Sequence, residues 1–90
     1  MLRPGDDGMD KRIGFVGIIV TERARAVPAV NRILSEHADL ILARVGLPCR
    51  QRQVFVITLV VEATTDELGR LTGQLGLVPG ISVKSALAKK

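Results

Sequence analysis

Ninety residues hold one small domain, because a chain this short buries only about 60% of its unfolded surface and has no material for a second core. Apolar residues make up 47% and aromatics 2%, with Phe15 and Phe55 the two aromatics, so packing must come from Val, Ile, Leu and Ala. The formal charge is +4, and since the first eleven residues hold two bases against three acids, residues 12 to 90 carry +5, weak grounds for a polyanion partner.

Cys49 is the one cysteine, which excludes an intramolecular disulfide framework and fits a reducing compartment. Lys11-Arg12 ahead of the apolar run Ile13 to Val20 imitates an export signal, but three aspartates precede that run and Gly14 and Gly17 interrupt it. No segment approaches the roughly 20 apolar residues that span a bilayer, so a cytoplasmic protein with no membrane partner is expected.

Met1 to Asp10 contains Pro4, Gly5, Gly8 and three acids with almost nothing to bury, and is expected to be a disordered tail before a single domain over residues 11 to 88. Arg12 to Thr21 reads as a first strand, apolar on both parities. Glu22 to Arg25 reads as a charged connection, after which Val27, Val30, Ile33, Leu34 and His37 recur at helical spacing. Pro28 suits the first turn of that helix, which should end near Ala38-Asp39.

Leu40 to Leu47 is a second strand, joined by a short polar link to the third, Val54 to Ala63, so the two should pair antiparallel. The third strand is also greasy on both parities, with Phe55, Ile57, Leu59 and Val61 on one side and Val54, Val56, Thr58 and Val60 on the other. Thr64 and Glu67 have the spacing of a capping box and open a second helix, with Leu68, Leu71 and Leu75 inward and Gly76 as its stop. Gly69 and Gly73 lie on one side of that helix and would admit a close neighbour. Ile81 to Leu87 alternates as a last strand.

Strand, helix, strand, strand, helix, strand is the α+β ferredoxin-like order, a four-stranded antiparallel sheet with both helices on one face and the first and third strands central. Those are the two strands that want cover on both sides. With the odd residues of the third strand under the helices, the open face is expected to hold Val16, Ile18, Val20, Val54, Val56 and Val60, joined by Leu40 or Leu42, with Thr58 at its heart. Six or seven aliphatic side chains offer on the order of 10 kcal/mol before association entropy. The expected occupant is another copy of the chain, in a homodimer or tetramer.

Asp10-Lys11-Arg12-Ile13-Gly14, Val30-Asn31-x-Ile33-Leu34-Ser35-Glu36, Arg44-Val45-Gly46-Leu47-Pro48, Thr64-Thr65-Asp66-Glu67, Leu71-Thr72-Gly73-x-Leu75-Gly76 and Pro79-Gly80-Ile81-Ser82-Val83-Lys84-Ser85-Ala86-Leu87 together resemble the iron-only hydrogenase system regulators. The resemblance spans about residues 9 to 87 and is specific as a set. It implies a fold like that of ACT domains and of the C-terminal domain of the nickel-responsive repressor, a homo-oligomer, and a role in regulation, transcription regulation included, or in ligand sensing, with no catalytic residues. Two positions depart from the family pattern: an aromatic often stands at Cys49 and a glycine at Ala38. In ACT-like dimers small ligands sit by the loop after the first strand, which by analogy points to Val20, Thr21, Glu22 and Arg23.

His37 and Cys49 are the only soft ligands, too few for a closed metal site in one chain, so no cofactor is expected. His37 reads as a helix-end residue and Cys49 as a loop thiol. Arg44, Arg50 and Arg52 form the densest basic cluster, with no acid between residues 40 and 61, and read as a solvated hairpin or a grip on a small anionic effector. Two other uses of the fold stay open. An RNA-binding domain would stack bases on aromatics of the central strands, but Phe15 and Phe55 share the inward parity in this reading, and no nucleic-acid contact is expected of this domain alone. An acylphosphatase-like enzyme would need an arginine loop that the sequence does not match.

Overall fold

Arg12–Val20 forms β1, and its Val16, Ile18 and Val20 are fully buried. The chain turns through Thr21 and Glu22 into α1, Arg23–Glu36, which takes in the last three residues of the stretch that reads as a charged connection. The Glu22 carbonyl accepts from the N–H groups of Arg25 (3.1 Å) and Ala26 (2.8 Å), so the charged stretch is itself helical. Pro28 therefore lies inside the helix rather than in its first turn. It is exposed there, as is Ala24, whose carbonyl loses its intrahelical donor and lies on the solvent side.

A short 3₁₀ turn, Ala38–Leu40, leads into β2, Ile41–Cys49, and a second, Arg50–Arg52, leads into β3, Val54–Ala63. Helix α2, Thr65–Gly76, and strand β4, Ile81–Leu87, complete the order. The computed structural model describes residues 10–89, so the expected tail lies outside the described residues except for Asp10.

The sheet order is β2-β3-β1-β4 with every pairing antiparallel, the ferredoxin-like arrangement with β1 and β3 central. Both helices cover one face: Ala26, Val30, Ile33 and Leu34 of α1 and Leu71 and Leu75 of α2 pack on Val16, Ile18 and Val20 of β1 and Ile57, Leu59 and Val61 of β3. Phe15 pairs with Val60 and Val16 with Leu59, so the odd residues of β1 share the open side with the even residues of β3.

The start of α2 is closed on itself. Thr64 Oγ1 accepts from the Glu67 N–H (3.1 Å) and Glu67 Oε1 accepts from the Thr64 N–H (2.9 Å), satisfying two orphan donors reciprocally. That bond to the Thr64 N–H holds the Glu67 carboxyl below its usual range, partly opposed by burial and helped by Lys11, whose Nζ lies 3.2 Å away. Gly69 and Gly73 have no close neighbour within the chain: a Cβ at either would meet nothing within 4 Å.

Candidate functional site

Two places hold features the core does not need: the open face of the sheet, and the end where the β2–β3 hairpin meets the first turn of α1. The register builds the open face in rows across the strands. Leu47, Val56, Ile19 and Ser82 form one row, Val45, Thr58, Gly17 and Lys84 the next, and Ala43, Val60, Phe15 and Ala86 a third, beyond which Glu62 pairs with Ile13. Six large apolar side chains here stand 40 to 63% exposed: Ile13, Phe15, Ile19, Val45, Leu47 and Val60. Glu62 and Lys84 are the charges, on different margins. Gly17 leaves a trough between Phe15 and Ile19, since a Cβ there would meet only the Lys84 carbonyl oxygen, at 3.9 Å.

The expected open face is therefore half corrected. Val54, Val56, Thr58 and Val60 do stand on it, but Val16, Ile18 and Val20 are in the core. The two-residue link from Val20 to α1 leaves that strand's last side chain on the helix side. Leu40 is buried as well, whereas Leu42 is 57% exposed in a β-bulge, the extra residue between Ile41, opposite Val61, and Ala43, opposite Val60. That bulge turns Val45 and Leu47 outward, and neither was singled out from the sequence. Phe15, expected inward, faces out, while Phe55 faces the helix side, so the two aromatics do not form one stacking platform.

The candidate ligand residues separate into three places. The Thr21 backbone N–H (2.8 Å) and its Oγ1 (3.0 Å) both donate to the Gly80 carbonyl. Glu22 packs against the same turn, where a Cβ on Gly80, at φ +82°, would come within 2.8 Å of its Cβ, and its carboxylate pairs with Arg25 at 3.4 Å. Arg44 points to the helix side and donates to Asn31 Oδ1 at 2.7 Å. It lies six residues before Arg50 on an extended strand, about 20 Å away, so the two arginines that looked clustered are not.

Arg23 and Arg50 do come together. With Pro48, Cys49, Gln53 and Val54 they line a cavity of about 280 Å³. The Arg23 guanidinium is stacked 4.8 Å from the centroid of the Phe55 ring. The ring in turn lies over Gly46, where a Cβ would sit 3.1 Å from it, so the glycine makes room for the stack. His37 stands elsewhere, with Nε2 3.3 Å from Gln74 Oε1, tying the end of α1 to α2. Among the described residues no three His, Cys, Asp or Glu side chains gather as a metal-binding set, and no helix is long and apolar enough to cross a membrane.

Residues 12–85 match the model of the TM1266-like family, described as "Iron-only hydrogenase system regulator, putative". The chain is similar to TM1266 of Thermotoga maritima, an uncharacterized protein of solved structure, with 36% identity and a TM-score of 0.85 over 89% of this chain and 100% of that one. It shares its fold with the ACT domain of a GTP pyrophosphokinase from Chlorobium tepidum (18% identity, TM-score 0.70, 84% of this chain and 99% of that). The C-terminal domain of the MgtC protein from Mycobacterium tuberculosis has the same fold (19% identity, TM-score 0.62, 93% of each chain). No curated protein matches the chain.

Proposed function

The chain belongs to the TM1266-like family of iron-only hydrogenase system regulators, and on that premise we propose that it is a non-catalytic regulatory module that works as a homo-oligomer, dimer or tetramer, and answers to a small anionic effector. The observation that carries this reading is the open sheet face. Monomers seldom expose contiguous apolar patches beyond about 300 to 600 Å², and six large side chains at 40 to 63% exposure in four adjoining rows form a field of that order.

A second copy fits that field better than a small ligand does, because the large apolar side chains are spread over three strands and not gathered in one cleft. Glu62 and Lys84 on separate margins give it one acid and one base, which is self-complementary in a two-fold pairing. The half of each side chain still exposed, at about 1.5 to 3 kcal/mol for full burial, yields on the order of 5 to 10 kcal/mol per protomer. Two protomers together therefore exceed the lower estimates of association cost, about 4 to 15 kcal/mol. The family's description as a regulator supports a regulatory role rather than turnover.

Native mass spectrometry of ligand-free protein tests the assembly: a dimer or tetramer is expected, and Phe15→Asp should yield monomers that keep their circular dichroism. A wild-type protein that stays single at high micromolar concentration overturns it. For the regulatory part, deletion of the gene from a host with an iron-only hydrogenase should change hydrogenase output, with Phe15→Asp reproducing the deletion. Unchanged output on deletion removes that part.

A further inference from the structure

The cavity between α1 and the β2–β3 hairpin has a chemistry the open face lacks. Two arginines, Arg23 and Arg50, line it with Gln53, Cys49, Pro48 and Val54, and no acid is among the lining residues. Among the described residues neither Arg23 nor Arg50 is in an ion pair, while the neighbouring Glu22 is turned toward Arg25 and Gly80.

Stacking on Phe55 fixes the plane of the Arg23 guanidinium, so less rotamer freedom is lost when it binds. Gln53, among the lining residues, is the one non-glycine described residue with positive φ, 55°, and it ends the tight 3₁₀ turn Arg50–Arg52, which brings Arg50 and Gln53 to the same cavity. Arg23 opens the first turn of α1, which contains no acid; the one carboxylate at that helix end is the N-cap residue Glu22, paired with Arg25 at 3.4 Å.

We propose that this cavity binds a phosphate-type dianion, either inorganic phosphate or the head group of a small phosphorylated metabolite. Two fork-shaped cations match two negative charges and offer paired N–H donors to tetrahedral oxygens, while about 280 Å³ accommodates a phosphate and a few further atoms. This deepens the effector part of the function proposed above, and it replaces Thr21, Glu22 and Arg44 as ligand residues by Gln53 and Cys49 beside Arg23 and Arg50.

The test is a titration of the full-length chain with inorganic phosphate and, separately, glycerol phosphate, at constant ionic strength, read by backbone amide NMR. Saturable shifts at Cys49, Arg50 and Gln53 are expected, with tighter binding of glycerol phosphate pointing to a metabolite and equal binding to phosphate alone. Arg23→Gln and Arg50→Gln should each weaken binding at least about tenfold, the scale of one lost charge-assisted pair, whereas Arg32→Gln, outside the cavity, should not. Equal shifts with acetate, or binding unaffected by both cavity variants, overturn the site. Should a variant unfold, alkylation of Cys49 in the wild type gives the second reading: phosphate slows it if the site is real, and an unchanged rate sinks the proposal. Subunit mass in the same samples separates the two ideas, since a monomer that binds phosphate breaks the assembly and leaves the site standing.

Discussion

The two faces of the sheet are made of nearly the same residues and meet opposite fates. On the covered face Val16, Ile18, Val20, Ile57, Leu59 and Val61 have no exposed surface, whereas on the open face Phe15, Ile19, Val45, Leu47 and Val60 keep 40 to 63% of theirs. Hydrophobicity therefore does not decide which face the helices take. The crossovers do, since β1 and β3 each end on a fully buried residue, Val20 and Ala63, with only two residues and one residue respectively between it and the next helix. Both faces are greasy because β1 and β3 are central, but only one has its second layer within the chain.

Truncation of neighbours on β3 should separate the faces most sharply. Leu59→Ala opens a cavity under both helices and should cost about 2 to 5 kcal/mol in denaturant unfolding. Val60→Ala, one residue on and facing out, should change the stability of the isolated protomer by less than about 0.5 kcal/mol. Equal losses would mean that the open face is already packed within one chain. A charge in that field sharpens the contrast from the other side. Val45→Asp should leave the unfolding midpoint of dilute protein within about 0.5 kcal/mol of wild type while raising the dissociation constant of the proposed oligomer about a hundredfold or more, as read by sedimentation. A charge that unfolds the protomer instead would place Val45 in the core.

The layer that makes one face different is held in place at its start. Thr64 is the one buried polar residue among those described, and Thr64→Ala removes a side-chain acceptor from the first turn of α2. The expected cost is about 1 kcal/mol, within the 0.5 to 2 kcal/mol typical of caps, with hydrogen exchange quickening first in α2 and the open face unchanged. Uniform loss of protection would show that the cap supports more than its own helix.

Element order, the central pair of strands and the α2 cap were all legible in the sequence, because each rests on a local pattern: alternation, helical spacing, Thr64 with Glu67. Strand β4 and strand β3 lie over the residues expected. What was not legible depended on handing one element to the next. A helix that begins at Arg23 and not after Arg25 leaves only two linking residues, which turns Val20 toward the helices and reverses the parity that the charge pattern of β1 and its connection suggests. The bulge at Leu42 has no compositional mark, yet it turns Val45 and Leu47 outward. Arg44 and Arg50 look close in a string and are far apart on a strand, while Arg23 and Arg50 meet only through the fold. Gln53 joins their cavity by adopting a left-handed backbone that nothing in Arg50-Gln51-Arg52-Gln53 announces.

The smallest effect concerns acid, and it acts on the covered face alone. The Thr64 N–H, and after it Lys11, hold the folded Glu67 carboxyl below its ordinary value of 4.5, so between that value and the depressed one the unfolded chain binds more protons than the folded chain. The stability this carboxylate contributes is complete above about pH 4.5. It fades as pH falls through the folded value. Glu67→Gln keeps a side-chain acceptor for the Thr64 N–H but cannot titrate, so its stability should fall less steeply than that of wild type below pH 4.5, and the two curves should run parallel above pH 6. Lys11→Met should flatten the wild-type curve only slightly, because its ion pair with Glu67 is half exposed on the lysine side and such pairs contribute about 1 kcal/mol or less. Curves for wild type and Glu67→Gln that stay parallel down to pH 3 would mean that the capping carboxylate is not what ties the covering helix to pH.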